Sequence, residues 1–319
     1  MTKYDYNITK RWERSSAEID EQLIDMFDST HLLIGGETKS GKSTLLNAIM
    51  LSAIAKYTPA EVMFCLVDPK RVELSQYKNI PHTISFVKEA TDVPHLLNYV
   101  CRYMENEYDR MESIGIRKSD RPHIYIVIDE IADLMVSSCS KEIQVGLQKI
   151  LQKGRAANIH IIACTQSPSR KTLPAELVLN FTNRVALHCA SAIESRQILN
   201  EKGAENIPEL GMCLYKAPMK GIRLLSGIPC FTDEEIKSRV AFWEAQNFVP
   251  QTTKMVSPQQ TYTRPTSVST YTMPIVNGGD SMKTVVQLIN VSVALCVALV
   301  ELAILPFKAF FWITSKWFR

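Results

Sequence analysis

The sequence predicts an α/β fold with a mostly parallel central sheet covered by helices on both faces. Short, nearly unbroken apolar runs recur at 31–35 (HLLIG), 62–67 (VMFCLV), 123–128 (HIYIVI), 159–164 (IHIIAC) and 184–188 (RVALH). Strands buried on both faces of a parallel sheet read this way, because neither face alternates with solvent. Helical patterns separate the runs, and the first run leads directly into a glycine-bearing loop and then a helix, the arrangement of a phosphate-binding helix start.

Composition bounds what else the chain can be. Of its 319 residues, 46% are hydrophobic and 22% charged, enough to bury a core without disulfide or metal staples. A net charge of +3 excludes a polybasic tail as the main device but allows a local basic surface, and 141–200 is biased toward Lys and Arg. The eight cysteines form no CxxC pair, which argues against a zinc ribbon or a thioredoxin-like site. They read as small buried thiols in a reducing compartment. The six histidines show no HxxxH spacing, and no metal centre is inferred from them.

Four regions follow along the chain. Residues 1–29 form a polar lead-in with no apolar signal-peptide core, ending in an amphipathic stretch around Ile19, Leu23, Ile24 and Phe27 that suggests a short helix. Residues 30–249 form the α/β domain. Its last helix is expected from about 231 to 249, with Thr232 and Glu235 spaced as a capping box. Residues 250–281, rich in Thr, Ser, Pro and Gln, read as a linker. Residues 282–319 contain the apolar stretch 285–305, long enough as a helix to reach roughly 30 Å, followed by an aromatic and basic end.

The chemistry-bearing motif is Gly36-Glu37-Thr38-Lys39-Ser40-Gly41-Lys42-Ser43, which fits GxxxxGK[ST] and runs into a helix from Thr44. Glycines let backbone N–H groups curl round phosphate oxygens, and the helix N-terminus adds positive partial charge. Lys42 is expected to reach the β- and γ-phosphates of ATP, and the Ser43 hydroxyl to help hold Mg²⁺. The strand 124–128 ends in Asp129-Glu130. Alone, such an ending is a solvated acidic turn. Paired with the phosphate loop, Asp129 is expected to orient the Mg²⁺ shell and Glu130 to act as general base on the attacking water.

Further segments narrow the reading. Asp68-Pro69-Lys70 with Glu73-Leu74-Ser75 and Ile80-Pro81-His82, Asp129 to Met135, Lys153 to His160, Ala163 to Ser169, and then Thr182 to Ala186 and Glu194 to Leu199 stand in the order of the FtsK/SpoIIIE motor domain. The chain resembles that family over about 30–220. The resemblance implies a RecA-like P-loop NTPase fold and a ring, commonly a hexamer, that hydrolyses ATP at subunit interfaces and moves along double-stranded DNA. It implies that Gln166 senses the γ-phosphate or positions water. It also makes Arg155 the first candidate for an arginine finger on the neighbouring subunit's ATP, with Arg184 and Arg196 as rivals. The Asp68–Arg71 segment reads either as a polar loop or as part of a nucleotide or subunit contact.

The sequence also departs from that family. No winged-helix domain follows the motor, and the apolar stretch lies after the ATPase domain instead of before it. The region before the phosphate loop is also short, and together with the lack of a winged-helix domain it favours a compact, non-specific motor of a plasmid, mobile element or phage, while the position of the apolar stretch motivates the export alternative. The stretch 285–305 reads as a transmembrane helix, an interfacial helix or a docked helix, with the ATPase on the cytoplasmic side of a bacterial membrane. The leading expectation is a membrane-tethered DNA translocase. The alternatives are an export ATPase moving protein and a nucleotide-gated module without turnover.

Overall fold

The computed structural model describes residues 16–245, apart from 167, 170, 171 and 209. The expected linker at 250–281 and the expected apolar helix at 285–305, with the end that follows it, lie outside the described residues. Among the described residues no helix is long and apolar enough to cross a membrane.

The elements run α1 (Ser16–Phe27), β1 (His31–Gly35), α2 (Lys42–Lys56), β2 (Val62–Val67), β3 (Thr83–Val87), α3 (Val93–Ile114), β4 (His123–Ile128) and α4 (Ile131–Met135). They continue α5 (Ser140–Lys153), β5 (Ile159–Thr165), α6 (Ala175–Asn180), β6 (Asn183–Ala186), α7 (Ala192–Leu199), β7 (Met212–Ala217), β8 (Gly221–Ser226) and α8 (Asp233–Glu244). The strands form one sheet in the order β3-β2-β4-β5-β1-β6-β7-β8. The first six are parallel, and β7 and β8 add an antiparallel margin. The mixed α/β fold with a mostly parallel sheet is therefore the one the apolar runs predict.

The reason those runs are unbroken is visible in the core. Consecutive strand residues point to opposite faces, and both faces are covered. Leu32, Ile34, Phe64, Leu66, Tyr125 and Val127 pack under α1, α2 and α8. Leu33, Met63, Cys65, Ile124, Ile126 and Ile161 pack under α3, α5 and α6. The amphipathic stretch before β1 is α1, whose Leu23, Met26 and Phe27 are buried in the first of these layers. Phe27 stacks on Tyr125 with ring centroids 4.1 Å apart. The capping box of α8 is formed: Thr232 Oγ1 accepts from the Glu235 N–H, and Glu235 Oε2 accepts from the Thr232 N–H.

Three strands carry no unbroken apolar run. β3 is an edge strand whose residues are mostly half-buried, and β8 is the opposite edge. Edge position leaves one side of each to solvent, so polar residues enter. β7 lies between β6 and β8 and keeps a polar Lys216, whose Nζ donates to Leu199 O at 2.8 Å.

Candidate nucleotide-binding site

Strand order decides where the motifs meet. β1, β5 and β4 are neighbours, in that order, and parallel. Their C-terminal ends therefore deliver residues 36–43, Thr165-Gln166 and Asp129-Glu130 to one edge of the sheet. Ligands of open parallel sheets bind beyond that edge.

The phosphate loop is shaped for an anion. Lys39 and Gly41 both take left-handed backbone conformations, with φ of 68° and 95°. Gly36 must lack a side chain, since a Cβ there would lie 2.6 Å from Ser40 Oγ and 2.9 Å from Leu187 Cβ. Helix α2 starts at Lys42 with no side-chain cap on its first N–H groups and no acidic residue in its first turn. The Ser40 hydroxyl is buried without a protein partner. Uncapped donors at a long helix start, next to a loop of left-handed residues, fit a phosphate chain. The cavity at this loop measures about 470 Å³, and Thr38, Lys42, Ser43 and Thr44 line it. Leu187, Leu210 and Ile228 add apolar lining. Glu37, which also lines the cavity, is tied to His188: its N–H donates to His188 O at 3.0 Å, and its Oε1 lies 2.8 Å from His188 Nδ1.

Lys42 is buried, and its Nζ donates to Asp129 O at 3.2 Å and lies 3.5 Å from Asp129 Oδ1. Burial works against its charge. Cys164, Asp129 and Glu130 outweigh that and set its pKa above the ordinary lysine value. Burial pushes the Cys164 thiol up to about 12, so near neutral pH the two carboxylates are what hold the charge. Asp129 itself is raised, by burial first and by Asp68 and Glu73 nearby, against the pull of Lys42. Beside Lys42 thus stand Asp129 and Glu130, with Asp68 and Glu73 acting on Asp129, carboxylate oxygens of the kind a hard divalent ion such as Mg²⁺ takes.

Glu130 is also raised by burial. Its carboxylate accepts from the Gln166 N–H at 2.9 Å and from the Ala132 N–H at 3.4 Å, so it is held at the end of β4. The Gln166 side chain reaches the other way, and its Oε1 accepts from Thr38 Oγ1 of the phosphate loop at 3.3 Å. Gln166 therefore bridges loop and carboxylate.

The Asp68–Arg71 segment follows β2, next to β4 at the same edge. Buried Asp68 accepts from the N–H groups of Arg71 at 2.8 Å and Leu74 at 2.9 Å, closing a tight loop. Lys70 pairs with Asp133 at 3.0 Å. The loop places Glu73 Oε1 2.6 Å from Ser43 Oγ. Sequence reasoning treated Glu73 as part of a family motif and missed this contact, because nothing local marks a glutamate thirty positions away as a partner of Ser43.

Arg155 is not in this site. It is exposed, on the 3₁₀ turn Gly154–Ala157 that leads into β5, at the N-terminal edge of the sheet. The length of β5, roughly 20 Å, separates it from the phosphate loop. Arg184 is half-buried, and its Nε donates to Phe181 O at 2.9 Å. Arg196 is exposed on α7.

The FtsK/SpoIIIE family model matches residues 7–126 and 118–170. The chain belongs to the FtsK/SpoIIIE family. It is 32% identical over 267 residues to the DNA translocase FtsK of Agrobacterium fabrum, covering 70% of this chain and 30% of that protein. It is 33% identical over 271 residues to the DNA translocase FtsK of Caulobacter vibrioides, covering 72% of this chain and 33% of that protein. This FtsK/SpoIIIE member thus spans about a third of the length of those relatives. Among solved structures, the pCW3 conjugation coupling protein TcpA with ATPγS superposes with a TM-score of 0.60 at 22% identity, over 68% of this chain and 66% of that one. The cytoplasmic domain of the type VII secretion ATPase EccC of Thermomonospora curvata also reaches 0.60, at 20% identity, over 72% of this chain and 29% of that one. Both share the RecA-like P-loop fold, so this domain has the P-loop fold that its family membership leads one to expect.

Proposed function

We propose that this chain hydrolyses ATP to move double-stranded DNA, as a ring of identical subunits tethered to a membrane and serving a plasmid, mobile element or phage. The convergence of the phosphate loop, Asp129-Glu130 and Gln166 at one sheet edge carries the ATPase part. Family membership, with DNA translocases at 32% identity, supports duplex DNA as the substrate.

The residues take these roles. The N–H groups of 36–44 and the Lys42 ammonium bind the phosphate chain, with Glu37, Thr38, Lys39, Ser40 and Thr44 shaping its walls. Ser43 and Asp129 would hold Mg²⁺. Bound there, the ion would offset charge on the β- and γ-phosphate oxygens. Glu130 takes the proton of the attacking water, and its raised pKa brings it closer to that task. Gln166 positions that water and reports the state of the loop to Glu130. Arg155 reaches the nucleotide of the next subunit in the ring, since its exposed turn can meet only another molecule's site. The segment 282–319 supplies the membrane tether.

Steady-state hydrolysis by the full chain, with and without linear duplex DNA across a salt series, tests the proposal. The Lys42→Ala protein is the blank. Stimulation by DNA that weakens steeply with salt and vanishes in the blank is expected. Hydrolysis indifferent to DNA would overturn the DNA assignment and turn the search to protein substrates.

A further inference from the structure

Ser43 would donate its lone pairs to a metal, so its proton needs an acceptor. In the structure that acceptor is not Asp129, which faces Lys42. It is Glu73, with Oε1 at 2.6 Å.

Glu73 is held in place from several directions. Asp68 closes the loop through Arg71 and Leu74, and Leu74 is fully buried next to Glu73. On the other side, Gln76 Nε2 donates to Glu73 O at 3.1 Å and to Asn47 Oδ1 at 3.0 Å. Tyr77 OH donates to the same Asn47 Oδ1 at 2.8 Å. Asn47 stands one helical turn after Ser43 on α2, so both present the same face to this loop. Four side chains thus lock segment 73–77 against the face of α2 that carries Ser43. Glu73 is half-buried and its carboxylate meets the serine side chain, so the contact is built in by its surroundings.

We propose that Glu73 is a positioning residue for the magnesium ion of the bound nucleotide: it accepts the Ser43 proton and turns the hydroxyl's lone pairs to the metal. This rests on the reading of the site as a Mg-nucleotide site. Partners of this kind, one step removed from the metal, typically carry about 10- to 100-fold in metal affinity. The rest of the 68–74 loop then has a purpose, since it fixes the acceptor from a strand that contributes nothing else to the phosphate loop.

The test is nucleotide affinity of the full chain, measured with Mg²⁺ and with EDTA, using a fluorescent ATP analogue. The ratio of the two affinities reports the metal and is insensitive to general loss of folded protein. In Glu73→Ala the ratio should fall about 10-fold with the EDTA value unchanged. Glu73→Gln keeps an acceptor oxygen at the same reach and should recover part of it. In a Ser43→Ala background, Glu73→Ala should cost nothing further, because the residue acts through that hydroxyl. A wild-type ratio in both Glu73 variants would overturn the inference, as would a full additional loss in the Ser43→Ala background. A wild-type chain whose affinity is indifferent to Mg²⁺ would overturn the reading of the site itself, a result distinguishable from the first two.

Discussion

The two edges of the central sheet both bury titratable groups, and they bury them in opposite states. At the C-terminal edge Lys42, Asp129 and Glu130 are gathered with Asp68 and Glu73, around helix donors that have no cap. At the N-terminal edge sit His31, His160 and His123. His160 Nδ1 lies 2.9 Å from Thr30 O, which can only accept, so that nitrogen carries the proton. His160 Nε2 then accepts from His123 Nδ1 at 2.8 Å. Burial lowers His31 to about 4 and His160 to about 3, so both are neutral. The cavity at this edge, about 610 Å³, is the larger of the two. Volume therefore points the wrong way. Charges held against burial separate the phosphate-loop edge from the opposite one, where the buried histidines are neutral.

The comparison breaks if chemistry at the two edges can be exchanged. The largest expected effect is at Glu130. Glu130→Gln should lower single-turnover hydrolysis by about 10³-fold, in the range of general-base removal, while ATP affinity stays within about twofold. A loss of affinity of the same size would make Glu130 a binding group.

Next comes pH at the opposite edge. A histidine whose folded pKa is depressed binds fewer protons in the folded chain than in the unfolded one. Its contribution is intact above the ordinary value of 6.5 and is lost as pH falls from there toward 4. For His31 alone this amounts to roughly 3 kcal/mol. Urea unfolding at pH 7 and pH 4.5 should show the fall, and His31→Asn, which keeps an acceptor for the Ile161 N–H, should flatten it. An unchanged slope would mean the histidines are charged.

Gly36→Ala sharpens the contrast from the other side. The added Cβ meets Leu187 Cβ at 2.9 Å as well as Ser40 Oγ, and should cost about 1–3 kcal/mol in thermal unfolding. Because the collision is inside the phosphate loop, nucleotide affinity should fall with it. The smallest effect is at the start of α8. Thr232→Ala removes the α8 capping box and should cost about 1 kcal/mol, with nucleotide affinity unchanged in a binding titration.

The parts legible in the sequence were those whose meaning is local. A phosphate loop is one contiguous stretch between a strand and a helix, and β4 announces its acidic end by five apolar residues before it. The central strands are apolar because both of their faces are covered, so they could be read directly. β3 and β8 were not read because edge strands mix polar and apolar residues. Glu73 was not read as a site residue because its value comes from a loop folded across β2 onto α2. Arg155 is legible only through the family, for the structure places it at the edge away from the phosphate loop of its own chain.

The pairing of Lys42 with Asp129 has a consequence for which solutes can occupy the pocket. An anion that draws Lys42 to itself leaves Asp129 facing nearby carboxylates without its nearest cation. Orthophosphate or sulfate arriving alone would pay that repulsion in full. A ligand that brings its own divalent cation replaces both partners at once, lysine by phosphate and carboxylate by metal. The contact between Lys42 and Asp129 therefore favours a ligand in which phosphate and a divalent cation arrive together.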